Sequence, residues 1–133
     1  MNIILRFFSI LATISLIFGL SACSATKGLS TSKQKRLIVG TWALESASVN
    51  GTSIPADMLG GKVVFIFTKN GKATFSTPDG KSETGHYELK DNKIHDPDSP
   101  DDEPLEIISL SKKKLELRMI ENGDPILMVM MRE

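Results

Sequence analysis

The sequence predicts an all-β domain, an antiparallel eight-stranded meander closed as a small barrel and preceded by a short helical turn. Three observations predict it. After Gly40 helical periodicity is absent; short apolar or alternating runs recur at regular intervals; and an Asn, Asp or Gly pair punctuates most of the gaps. Strands are expected at 41–49, 62–68, 73–77, 83–89, 93–96, 105–110, 114–120 and 125–132. The turns are expected at Asn50-Gly51, Asn70-Gly71, Asp79-Gly80, Asp91-Asn92 and Asn122-Gly123, because these residues accept the positive φ of tight hairpins. Such short links join antiparallel neighbours. A meander of this length removes its edges best by closing into a barrel, with a two-sheet sandwich as the alternative.

Each element has its own justification. Ser32 is a candidate cap for a helical turn through Lys33 to Val39, ended by Gly40. Leu115, Leu117 and Met119 alternate with Glu116 and Arg118, which gives that strand one buried and one wet face. Val63 to Phe67 and Ile126 to Met131 are apolar on both faces, so their outer face needs cover from the helical turn, loops, lipid or a partner.

The totals limit the function. A chain of 133 residues holds one domain, and 16 basic against 16 acidic residues leave no positive field to attract nucleic acid. One cysteine cannot form an internal disulfide, and no Cys/His spacing suggests zinc, so no cofactor is expected.

The N-terminus reads as a processing signal. Met1 to Arg6 carries one positive charge, Phe7 to Leu20 carries none, and Ser21-Ala22-Cys23 follows. The apolar run is shorter than the ~20 residues of a spanning helix, and Leu20 is too large for ordinary signal-peptidase cleavage. Leu20-Ser21-Ala22-Cys23 resembles instead the lipobox of bacterial lipoproteins. That resemblance implies a signal helix over residues 1–22 that is removed on maturation, and diacylglycerol on Cys23 that holds the protein to a membrane. Ser24 follows the cysteine, where an Asp would resemble an inner-membrane retention signal, which points to the outer membrane facing the periplasm. Residues 23–32 comprise the lipidated cysteine and a Ser/Thr/Gly-rich linker, whose nine residues after the cysteine reach about 30 Å. Residues 33–133 form the folded domain.

Site chemistry is sparse. His86 and His95 are the two histidines, neither lies in a local arrangement with a nucleophile, and both read as surface or satisfied residues. The run Asp96 to Pro104 is carboxylate-rich, but its spacing departs from an EF-hand: Asp101 stands where Gly is required and Ile107 where Glu is. It reads as a solvated acidic loop, stiff and extended because of its three prolines, with a weak divalent-cation site as the alternative. Of six methionines, Met119, Met128, Met130 and Met131 cluster near the C-terminus, as core filling or as the lining of an adaptable apolar pocket.

Gly40-Thr41-Trp42, after a helical turn and on the first strand, looks like the first motif of lipocalins. It is joined by Phe65-Ile66-Phe67 before Lys69-Asn70-Gly71, by Gly85-His86-Tyr87-Glu88-Leu89, and by Ile107-Ile108-Ser109-Leu110 leading to Leu115-Glu116-Leu117. That succession, over residues 35–132, is similar to the short lipocalin-like domain of many bacterial lipoproteins. The resemblance implies a non-enzymatic barrel that binds a small hydrophobic ligand. It gives Gly40 and Trp42 a structural role at one barrel end, and places an Arg against the Trp, with Arg118 and Arg132 as candidates. Phe65, Phe67, Leu117, Met128 and Met130 are the expected ligand-binding residues. An eight-stranded barrel can also be filled by its own side chains, so the alternative is a structural or protein-interaction module of the envelope with no ligand.

Overall fold

A computed structural model of the chain describes residues 29–133. Cys23, the signal segment and most of the linker lie outside these residues. The order is α1 (Thr31–Ile38), β1 (Gly40–Val49), β2 (Thr52–Pro55), a 3₁₀ turn (Ala56–Leu59), β3 (Val64–Phe67), β4 (Lys72–Ser76), β5 (Ser82–His86), β6 (Glu88–Lys90), β7 (Lys93–His95), β8 (Leu105–Leu110), β9 (Lys114–Glu121) and β10 (Asp124–Arg132). All pairings are antiparallel, in the order β5-β4-β3-β1-β10-β9-β8-β7-β6, with β2 also pairing β1. First and last strands pair along most of their length, so the sheet curls into a nearly closed barrel.

The expected eight strands become ten for two physical reasons. Thr52–Pro55 turns back on β1 through Asn50-Gly51, both of positive φ, and adds β2. The segment expected as one strand over 83–89 changes partner at Tyr87. Its first half pairs β4, its second half pairs β7, and the Tyr87 N–H, donating to the Gly71 carbonyl at 2.9 Å, is the last bond of the β4–β5 register before the change. The two edges of the sheet are therefore consecutive in sequence, and they meet at a seam rather than a ladder.

Asp91-Asn92 and Asn122-Gly123 also have two left-handed residues each, as tight hairpins require, whereas at Asn70-Gly71 and Asp79-Gly80 only the glycine does. Two bulges set which side chains point inward. In β1 the register against β10 shifts between Leu44 and Ser46, so the buried set runs Trp42, Leu44, Ala47. In β8 it shifts between Ile107 and Ser109, and the buried set runs Leu105, Ile107, Leu110. An extra residue reverses the phase of a strand and bends it, which helps the barrel close.

The interior is filled by side chains. Leu115, Leu117, Met128 and Met130 are fully buried, joined by Ile38, Val63, Phe65, Phe67 and Ile126. On the outer face of β3 and β10, Val64, Ile66, Leu127 and Val129 are half-buried and Met131 is exposed. Among the described residues no helix is long and apolar enough to cross a membrane.

The helix begins earlier than expected. Ser30, not Ser32, caps it through its side chain and Lys33 N–H, and Leu29 of the linker packs on the core. Gln34 and Ile38, one turn apart, face inward, while Lys35 and Arg36 lie in the last turn where cations complement the helix dipole. Gln34 donates to the side chain of Asn92, which fixes α1 against the β6–β7 turn.

Candidate functional site: a plugged end and an open seam

The end of the barrel next to α1 is closed by one tryptophan and one arginine. Trp42 is fully buried and its indole N–H donates to the Ile38 carbonyl at 2.8 Å. Arg132, opposite Trp42 in the β1–β10 register, lays its guanidinium over the indole ring at 4.3 Å. The same guanidinium donates to the carbonyls of Val39 at 2.8 Å, Leu37 and Lys112. The end of a helix leaves carbonyls without intrahelical partners, and here Trp42 and Arg132 together satisfy those of Leu37, Ile38 and Val39. Gly40 has φ +148°, and a Cβ there would run into Arg132. The Gly-x-Trp spacing thus has a mechanical reason: the glycine makes room for the cation that covers the tryptophan. Arg118 takes a different role, pairing with Glu106 across β8 and β9.

At the β5–β6 seam the packing is incomplete. A cavity of about 60 Å³ lies beneath it, walled by Phe65, Phe67, Phe75, Tyr87, Ile94 and Leu105. Phe65 and Phe75 are directly opposite in the β3–β4 register, with ring centroids 4.9 Å apart. Phe67 meets Tyr87 edge to face at 5.1 Å. Tyr87 is held from both ends, since its hydroxyl donates to the Thr68 carbonyl at 2.8 Å, and burial pushes its phenol above the usual range.

The rim is polar: Glu83, His86, His95 and Asp96 line it. His86 Nδ1 pairs with the Asp98 carboxylate at 2.8 Å, which ties the acidic loop to the end of β5. That loop is not extended as its prolines suggested. The Asp96 side chain accepts from Asp98 N–H, the Asp96 carbonyl from Ser99 N–H and the Ser99 carbonyl from Asp102 N–H, so it folds as successive turns. Asp102 holds one buried carboxylate oxygen without a hydrogen-bond partner. Among the described residues no group of three His, Cys, Asp or Glu side chains is placed to hold a metal ion.

Residues 38–117, more than half of the chain, match the family described as the lipocalin-like domain. The chain belongs to this family. Among solved structures it is similar to a lipocalin-like protein from Bacteroides uniformis, at 22% identity and a TM-score of 0.50, over 72% of this chain and 98% of that one. No curated protein matches it.

Within this lipocalin-like barrel, the expected ligand-binding residues fall into two groups. Phe65 and Phe67 line the cavity, whereas Leu117, Met128 and Met130 are fully buried in the packed interior away from it. Phe75, Tyr87, Ile94 and Leu105 also line the cavity, beyond the residues expected from the sequence. Phe75 had a signal, as the one large apolar residue of a strand adjacent to Phe65. Tyr87 had none, because its position depends on the change of partner between β5 and β6.

Proposed function

We propose that this lipocalin-like protein is a non-enzymatic lipoprotein, tethered to the cell envelope through lipid on Cys23, that receives a small hydrophobic ligand at the β5–β6 seam. The observation that carries the ligand reading is an apolar, aromatic-walled cavity directly under the one break in the barrel's main run of pairings. The size of that cavity defines the mode. About 60 Å³ is the liquid volume of two waters and far less than the ~300–1,000 Å³ of a ligand pocket. A ligand therefore inserts one apolar end and parts the seam, which costs no ladder hydrogen bonds because β5 and β6 share none.

A titration with N-phenyl-1-naphthylamine, an apolar dye that brightens in a dry site, tests this reading. Ala73 lines the cavity. Ala73→Leu fills the cavity and should abolish dye binding while leaving the unfolding midpoint nearly unchanged. Equal binding by this variant would move the ligand elsewhere. Absence of binding by the parent chain would favour the second reading, an envelope module acting through its surface, which the dense packing of Leu115, Leu117, Met128 and Met130 supports. Lipidation is tested separately by mass spectrometry of the mature N-terminus. Cys23→Ala should leave an unprocessed, unlipidated precursor, and a normal-sized, membrane-released product would refute the anchor.

A further inference from the structure

A second concavity, of about 960 Å³, lies between the last turn of α1, the β3–β4 turn and β6. Its charged walls are Lys35, Arg36, Lys69 and Lys90, against one carboxylate, Glu88. All four cations are exposed and none forms an ion pair within the described residues. Elsewhere on the barrel Lys62, Lys81, Lys114 and Arg118 each have a carboxylate partner, whereas Lys33, Lys72, Lys93, Lys112 and Lys113 form no ion pair among the described residues. Lys90 faces Lys93 directly across the β6–β7 pair, and Lys93 in turn faces Glu106 of β8. In a chain of zero net charge this cleft thus sets four cations against one carboxylate.

We propose that this cleft docks on the anionic phospholipid headgroups of the membrane. The choice of occupant rests on charge complementarity and on chain length. Thr31 lies only eight positions beyond Cys23, about 26 Å fully extended, and two of the four cations lie on α1 itself. With Cys23 held in the bilayer, as in the reading above, the cleft stays within reach of the headgroups, where a local basic cluster adds to a lipid anchor. Docking then fixes one orientation of the barrel, with α1 and its plugged end towards the membrane.

The test does not need the anchor. The chain from Ser24 to Glu133, which carries the whole described fold, is sedimented with vesicles of phosphatidylcholine alone or with about a third phosphatidylglycerol. Partitioning should be on the order of 100-fold stronger on the anionic vesicles, and should collapse at ~1 M salt, where charges are screened beyond ~3 Å. The variant K35E/R36E/K69E/K90E should lose it while keeping its circular dichroism spectrum, since all four residues are exposed. If that variant does not fold, the salt and lipid dependence of the parent chain still decides. Equal binding to both vesicles, binding to neither, or a folded variant that binds as well as the parent would overturn the proposal. So would displacement by inorganic phosphate at matched ionic strength, which would make the cleft a site for a soluble anion. Dye binding at the seam should be unaffected in the variant, so failure of this proposal and failure of the ligand reading are separable.

Discussion

Trp42→Ala is the perturbation that tests how the barrel is held shut. The side chain is fully buried, and a tryptophan buries roughly 150–250 Å². At ~25 cal/mol per Å² the transfer contribution is about 4–6 kcal/mol, an upper value because the unfolded chain already hides part of that area. Removing the ring also leaves the Ile38 carbonyl without its donor and Arg132 without the surface beneath it. Partial collapse of the surroundings offsets some of this, so the expected loss is about 4 kcal/mol, within the range for large aromatic truncations. Against a stability of ~5–15 kcal/mol that is a large fraction, and it lowers Tm by roughly 15–30 °C for a domain of this size. Urea and thermal unfolding followed by circular dichroism measure it, since the variant has no tryptophan left. In the parent chain Trp42 emission should be blue-shifted and shielded from iodide. Trp42→Phe keeps most of the area and loses the indole hydrogen bond, at about 1–2 kcal/mol. A loss below about 1 kcal/mol for Trp42→Ala, or red-shifted and readily quenched emission, would refute the plug.

Arg132→Met should cost about 2–3 kcal/mol, because three carbonyls and the indole ring lose one shared partner, whereas Arg118→Met breaks a half-exposed pair and should cost less than about 1 kcal/mol. Equal effects in urea unfolding would mean that the plug arginine has no special role. Glu121 is only 7% exposed, and burial raises its carboxyl above the ordinary 4.5. An acid whose folded-state pKa is raised carries no penalty below its unfolded pKa and a full one above the folded value, so this term weakens the fold as pH rises from about 4.5. Glu121→Gln should therefore raise the unfolding midpoint at pH 7, with the gain vanishing below about pH 4; a gain that persists in acid would show that the cause is not ionisation.

Much of the fold is legible because turn chemistry and side-chain period act locally. Asn122-Gly123 demands two left-handed residues whatever surrounds it, and Leu115-Glu116-Leu117-Arg118-Met119 alternates without interruption, so β9 and β10 are found within a residue or two. The bulges in β1 and β8 are not legible in the same way. Leu44-Glu45-Ser46-Ala47 and Ile107-Ile108-Ser109-Leu110 lose the two-residue period, but a broken period also describes the end of a strand. Only the long pairing with β10 and β9 shows that the strands continue. The fate of Thr52–Pro55 is likewise set by β1, because the segment is four residues long, carries Ile54 as its single large apolar residue and ends in proline.

The site divides along the same line. The plug is local in sequence at one pole, where Ile38, Gly40 and Trp42 lie within five residues. Its other pole is Arg132, more than ninety residues along the chain, and Arg118 offered the same chemistry until the β1–β10 register placed one of them opposite the tryptophan. The seam depends still more on topology. Phe65 and Phe67 are large, apolar and strand-borne, but Leu117, Met128 and Met130 satisfy that description equally. What separates them is that the gap in packing sits where β5 hands over to β6, just after Tyr87 makes the last bond of the β4–β5 register to the Gly71 carbonyl. A residue's burial is written in its own strand, whereas a cavity's position is written in which strands fail to pair. Tyr87 lines both the apolar cavity and the basic cleft, so the residue at the change of partner also stands between the two concavities.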